Sequence, residues 1–190
     1  KILNRYDYKT LTGCLSFINI NFSQSNLEVL NSNCEDGINV LVSNGSLNTL
    51  TANDSSFDGV DIDFSDLKIE KVNVINSLND CVDFSGGNYT IKNLYLLDCF
   101  DKAISVGEES RLNAKTVNIS NSKIGVASKD SSYTEIDEAY VNNTNKCLTT
   151  YKKKQEFNGG YLLVSNLSCR NYETKLDTDH FSVIKILNEL

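Results

Sequence analysis

Apolar residues recur along this chain at a step of 22 residues. The clearest row consists of Ile38, Val60, Val82, Ile104, Val126 and Leu148. A second row, two positions later, consists of Val40, Ile62, Phe84, Val106, Ser128 and Thr150. Because successive side chains of a strand point to opposite faces, the two rows predict one short strand per repeat, with the intervening residue facing outward.

The positions beside these rows are equally regular. The outward residues are Asn39, Asp61, Asp83, Ser105, Ala127 and Thr149. The position before each strand carries only small residues, namely Gly37, Gly59, Cys81, Ala103, Gly125 and Cys147. A position restricted to small residues is typical of a tight corner.

A second strand and a polar corner complete each repeat. The second strand has apolar rows that begin at Leu47, Leu50 and Ala52, and one inserted residue near Glu108 to Arg111 shifts their later members. The polar row consists of Asn33, Ser55, Ser77, Cys99, Asn121 and Asn143. We expect its side chains to form hydrogen bonds from one repeat to the next.

The combined pattern predicts an all-β fold, a parallel β-solenoid of about eight coils. No amphipathic helix separates the strands, and the leucine-rich repeat consensus is absent from the sequence. We expect a single domain over residues 1–190, with regular coils at about 12–170. The register is lost in residues 171–190, which would form either a last irregular coil or a cap over the open edge.

Net charge and the length of apolar runs restrict the partners. The formal net charge is −7, and nucleic acid is not expected as a partner because phosphate binding requires a basic surface. Apolar runs are only a few residues long, so no membrane span is predicted. The chain contains no Met, and we expect it to be a piece of a longer product whose export signal would lie elsewhere.

The period brings carboxylates together on the outer face of the early coils. Asp61 and Asp83 should lie about 5 Å apart on neighbouring coils, with Asp63 about 7 Å from Asp61. Like charges this close require a bound cation, a proton held at a raised pKa, or screening by solvent. Ca²⁺ would suit Asp61, Asp63 and Asp83 because it accepts several oxygen ligands in loose geometry. Solvated carboxylates are the favoured alternative, and no cofactor is required.

A second row of acids, Asp36, Asp58 and Asp80, lies just before the small corner. The favoured interpretation is local, with each Asp capping its own turn through the backbone. The chemical interpretation is catalysis, for which Lys102, 22 residues after Asp80, is the only basic partner that the register supplies.

Charge is unevenly distributed along the chain. Residues 34–83 hold ten acids and two bases, whereas residues 102–154 hold nine bases and six acids. The segment KKKQEFNGG interrupts the period and should leave the coil as a loop, where it could contact a sugar or a carboxylate-rich partner. The predicted binding residues are Asp61, Asp83, Lys129, Tyr151, Lys152, Lys153, Lys154 and Phe157.

The six cysteines are not expected to form disulfides. Cys81 and Cys147 share a row but lie three coils apart, about 14 Å, which one bridge cannot span. Cys14 and Cys34, and likewise Cys81 and Cys99, fall at different corners of their coils. We therefore expect small buried apolar residues at these positions, and no Cys-x-x-Cys pair indicates zinc.

The repeats resemble those of right-handed parallel β-helix proteins in the pectin-lyase-like superfamily. The segments that carry the resemblance are EDGINV, FDGVDIDFS, NDCVDFSGG, DKAISVGEES, KIGVASKDSS and YKKKQEF. Over residues 12–170 they are most similar to bacterial β-helix modules associated with spore-coat-H-like proteins. The resemblance implies a right-handed, single-stranded β-helix, and it implies no particular activity.

A more distant similarity is to polygalacturonase-type glycoside hydrolases, and it makes Asp58, Asp80 and Lys102 the catalytic candidates. Asn79 replaces one acid of that family, Lys102 stands at its His position, and no Arg-Ile-Lys motif follows. Inverting hydrolysis needs an acid and a base around a water, so these departures argue against that activity.

Three functional hypotheses follow from these observations. The first is a non-catalytic, extracellular or cell-surface module that binds carbohydrate or a surface protein, or that serves in structural display. The second is a polysaccharide-active hydrolase, lyase or epimerase that uses the Asp rows and Lys102. The third is a structural rod that associates end to end with further copies.

Overall fold

Each repeat of the sequence forms one turn of a solenoid whose strands pair in parallel. The computed structural model describes residues 11–190, and these contain strands and no helix. The strands are β1 (Gly13–Ile18), β2 (Asn21–Ser32), β3 (Asp36–Leu41), β4 (Asn44–Ser55), β5 (Asp58–Asp63), β6 (Asp66–Ser77), β7 (Val82–Ser85), β8 (Asn88–Gly107), β9 (Arg111–Lys129), β10 (Tyr133–Tyr151), β11 (Tyr161–Thr178) and β12 (Val183–Glu189). No helix within this part of the chain has the length and apolar character to cross a membrane.

The residues predicted to stack are neighbours in the ladders. Ile38 pairs with Val60, and Val60 pairs with Val82. Farther along, Asn88 lies opposite Arg111, which confirms the single inserted residue. Both predicted inward rows are buried, including their polar members on the later coils, and their apolar members share one continuous core with the buried residues of the second strand. The 22-residue period and the count of about eight turns are therefore confirmed.

Each coil also bends at a residue with positive φ. These residues are Asn31, Asp54, Asn76, Asp98, Asn121, Asn143 and Asn171. Asn and Asp adopt this left-handed conformation more readily than other non-glycine residues, because their short polar side chains can bond locally. We call this row the amide corner.

Hydrogen bonds run along the amide corner from coil to coil. Asn76 donates to Asp54 at 2.6 Å, Asn121 donates to Asp98 at 2.7 Å, and Asn143 donates to Asn121 at 2.7 Å. The predicted inter-coil bonding is confirmed, but the predicted polar row was partly wrong. It combined residues of three adjacent rows. Asn121 and Asn143 belong to the amide corner, whereas Ser55 and Cys99 belong to a second row, in which Cys99 stacks on Ser122 once the inserted residue is counted. Asn33 lies one position beyond that second row. Ser32 and Ser55, which are buried, belong to this second row and bond to each other at 3.0 Å.

The prediction about the cysteines was wrong. Three disulfides join Cys14 to Cys34, Cys81 to Cys99 and Cys147 to Cys169, and no free cysteine remains among residues 11–190.

The Cys81–Cys99 bridge shows why the prediction failed. The two corners approach each other across the interior. In the preceding coil, a Cβ built on Gly59 would lie only 3.3 Å from the Oγ of Ser77. Cys81 and Cys99 occupy the same two positions one coil later, with Cα atoms 5.3 Å apart.

Residues 171–190 continue the solenoid as a last coil. Strand β11 stays paired with β10 as far as Thr178, and Val183 of β12 then lies opposite Tyr161 of β11. No described strand covers the outer edge of β12, so Val183 and Leu187 are exposed.

Candidate functional site

The acidic face is the outer surface of β3, β5 and β7 and of the corners that precede them. The register places Asp36 opposite Asp58, and Asp61 opposite Asp83. The predicted rows of carboxylates on successive coils are therefore present, and the contacts of each carboxylate decide what it can do.

Asp58 and Asp80 each bind the backbone of the following coil. Asp58 Oδ1 accepts the N–H of Asp80 at 2.8 Å and the side-chain amide of Asn79 at 2.6 Å. Asp80 Oδ1 accepts the N–H of Lys102 at 2.9 Å. The expectation that each Asp caps its own turn was wrong for this pair. The carboxylates instead tie one coil to the next.

Lys102 is held between two carboxylates. Its Nζ lies 3.1 and 3.2 Å from the two oxygens of Asp80, and 2.5 Å from Asp101 Oδ2. Burial alone would lower the pKa of Lys102, but Asp80 and Asp101 outweigh it and raise that pKa well above its ordinary value. Burial raises the pKa of Asp80, and Lys102 opposes that shift. Lys102 therefore stays protonated and cannot accept a proton at neutral pH.

Three further acids of this face, Asp58, Asp61 and Asp63, hold their protons more tightly than usual. Burial, followed by the charge of Asp80, raises the pKa of Asp58 to about 7. Burial, followed by the charge of Asp83, raises the pKa of Asp63 to about 6. Burial and the neighbouring Asp63 also raise the pKa of Asp61 well above its ordinary value. Of the alternatives derived from the sequence, a retained proton fits these shifts.

A lysine reaches back onto the acidic face from two coils away. Lys129 is buried, its Nζ donates to Ser105 Oγ, and it lies 3.6 Å from Asp83 Oδ1. Its stem crosses Gly107, where a Cβ would approach Lys129 Cε to 2.8 Å. Lys129 was predicted as a binding residue of the later coils. The structure places it inside the acidic face, where it offsets negative charge.

The predicted calcium ligands are not grouped as a binding site. Asp61 Oδ2 accepts the amide of Asn39 at 3.3 Å, and Asp83 faces the ammonium of Lys129. Within residues 11–190, no group of three or more His, Cys, Asp or Glu side chains could hold a metal ion. The ammonium of Lys129 would compete with a cation at Asp83 Oδ1, and calcium at Asp61, Asp63 and Asp83 stays a prediction.

The predicted loop between β10 and β11 is present and is anchored to the body of the solenoid. Asp130 Oδ1 accepts the N–H groups of Lys153 and Lys154, at 2.7 and 2.8 Å. The ammonium of Lys154 binds Glu108, and that of Lys152 lies over the ring of Phe181.

The predicted binding residues of this loop do not form one surface. Lys153 is exposed, whereas Lys152, Lys154 and Phe157 are half-buried. Tyr151 is also half-buried, and burial raises its pKa. The ammoniums of Lys152 and Lys154 thus point to different partners, Phe181 and Glu108, and a continuous basic patch is not formed there.

A groove along the amide corner was not predicted from the sequence. It has a volume of about 740 Å³ and crosses five coils. The row of Asn and Asp residues was a usable signal, but the period alone does not show which corner is concave.

Comparison of the chain with models of protein families, with curated proteins and with solved structures gives no match.

Proposed function

We propose that this chain is a non-catalytic β-solenoid module of an exported or surface-attached protein, and that it binds carbohydrate through its outer faces. The observation that carries the proposal is the state of Lys102 and Asp80. Lys102, the basic side chain in register with Asp80, is bound by two carboxylates, and Asp80 also holds a backbone N–H. An acid–base pair of this kind is committed to structure and has no free base to activate water.

The disulfides support export. Three bridges within residues 11–190 are typical of proteins that fold in an oxidising compartment, because cytosolic reductants keep most thiols reduced. A solenoid also offers long, rigid faces with repeating side chains, which suits binding to a repeating polymer.

The test is to incubate the purified protein with neutral and anionic polysaccharides, and to follow both retention and product formation. We expect retention on at least one polysaccharide with no new reducing ends and no unsaturated products. The matched variants are Asp80→Asn, which keeps the acceptor for the Lys102 N–H, and Lys102→Met. Product release that either variant abolishes would establish catalysis and overturn the proposal.

A second candidate, assembly end to end, is favoured by the edge of β12. Strand β12 is the last strand of the sheet order, and no described strand pairs with the backbone of its outer edge. Beside this edge, Phe181, Val183 and Leu187 are 54%, 42% and 63% exposed. Such an edge can pair with another chain. Light scattering should show rods that lengthen with concentration and that Leu187→Lys shortens. A constant monomer mass over the concentration range would exclude this assembly.

A further inference from the structure

The groove along the amide corner has the shape of a binding site for a linear molecule. It is lined by residues 76–78, 98–100, 121–123, 143–145 and 171–173, which lie on five successive coils. Neighbouring coils are about 4.8 Å apart, so the groove extends for about 19 Å parallel to the solenoid axis. An extended polymer of a few units would lie along it.

The Asn, Ser and Thr side chains of the polar lining can both donate and accept hydrogen bonds. Asn121 donates to Asp98 and accepts from Asn143 within the amide corner. A primary amide has two N–H donors and two acceptor lone pairs, and this ladder uses one of each at Asn121. The remaining groups can face a ligand that carries paired hydroxyls.

Exposed apolar side chains lie at both ends of the groove. Phe100 is 75% exposed and Leu78 is 57% exposed on adjacent coils, and Tyr172 is 42% exposed three coils beyond Phe100. Aromatic rings with a free face can stack against flat apolar surfaces of a ligand.

The charges of the groove argue against an anionic ligand. Asp98 and Glu173 are the acids of its lining, and Lys123 is the only base. The ammonium of Lys123 also lies 3.4 Å from Asp101. A carboxylated or sulfated chain would therefore meet net negative charge.

We propose that this groove binds a neutral, linear oligosaccharide, with Phe100 and Tyr172 stacking on sugar faces and the amide corner bonding to hydroxyls. The inference rests on the proposed carbohydrate-binding function and assigns it to one surface. None of its lining residues belongs to the acidic face or to the loop between β10 and β11.

The experiment measures binding of cellohexaose, xylohexaose and mannohexaose by titration calorimetry, with hexagalacturonate as the anionic comparison. The groove variants are Phe100→Ala and Tyr172→Ala. Phe64→Ala and Tyr140→Ala are the matched controls, because both are exposed aromatic residues outside the groove. Far-UV circular dichroism confirms that each variant is folded.

We expect at least one neutral hexasaccharide to bind, and each groove variant to weaken it roughly three- to tenfold while the controls leave it unchanged. If a neutral hexasaccharide bound equally well to both groove variants, the assignment to this groove would be overturned while the proposed carbohydrate-binding function would stand. The same conclusion would follow if hexagalacturonate bound in preference to every neutral probe. If the wild-type protein bound none of the four probes and no polysaccharide, the proposed function would fail as well.

Discussion

Replacing the Cys81–Cys99 disulfide with Cys81→Ala and Cys99→Ser should lower the free energy of unfolding by about 3 kcal/mol. Both replacements already occur at the same positions of neighbouring coils, as Ala103 and Ser77. They should therefore fit without a new clash or a large cavity. What the double variant loses is the constraint that the bridge places on the unfolded chain.

The magnitude follows from the length of the loop that the bridge closes. The two cysteines are 18 residues apart in the sequence. A cross-link closing a loop of about this size reduces the entropy of the unfolded chain by an amount worth about 3 kcal/mol at 25 °C. Alanine is preferred to glycine at position 81, because glycine would add flexibility to the unfolded state and confuse the comparison.

Urea unfolding followed by far-UV circular dichroism measures the difference, with both proteins kept free of reductant. Thiol titration of the denatured wild-type protein should find no free thiol, and the double variant should match it. A double variant within about 0.5 kcal/mol of the wild-type protein would refute this reasoning, since it would mean that the bridge does not constrain the unfolded chain.

Three further predictions concern charge and close packing. The pKa of Asp58 is raised by burial from 3.8 to about 7, so the folded state binds its proton more tightly than the unfolded state, and stability should fall as pH rises from about 4 to 7. Asp58→Asn keeps the acceptor for the Asp80 N–H and removes the titrating group. The difference in free energy of unfolding between this variant and the wild-type protein should grow across that range in favour of the variant, by on the order of 2 kcal/mol, in denaturation curves taken at each pH. A difference that does not change with pH would contradict this. Lys129→Met should destabilise the protein by about 1–3 kcal/mol because Asp83 loses its buried partner, and adding Asp83→Asn should recover part of the loss in a double-mutant cycle. Gly160→Ala should lower the free energy of unfolding by at least about 2 kcal/mol, because its Cβ would lie 2.0 Å from the backbone oxygen of Ser128. Gly107→Ala should lower it by less in the same thermal or urea unfolding experiment, because its Cβ would meet the flexible stem of Lys129.

The acidic face illustrates how far sequence reasoning reached. The period correctly placed Asp61 beside Asp83, because residues one repeat apart must be neighbours in a parallel solenoid. The period did not indicate that Lys129 would cross Gly107 to reach Asp83, since a lysine stem can extend over more than one coil and its direction depends on local packing.

The contacts between corners of the coil were not predicted from the sequence. The sequence contained a usable signal for the Cys81–Cys99 bridge, in that Gly59 and Ser77 hold the same two positions one coil earlier. Predicting the bridge from these positions requires the knowledge that the two corners approach each other across the interior. The groove beside Phe100 was not predicted for the same reason, because the sequence does not show the shape of the coil in cross-section. The row of Asn and Asp residues that borders the groove was apparent in the sequence.

The sequence by itself determined the period, the buried rows, the parallel stacking and the place of the inserted residue. It could do so because every coil repeats the same pattern, and each repetition adds to one signal. Only the tertiary structure decided which corners meet, where the disulfides form, that Lys102 is held by Asp80 and Asp101, and which corner is concave. These features depend on the shape of the coil in cross-section, which is set by φ and ψ at a few bend residues such as Asn76 and Asp98 and is invisible to a periodic pattern.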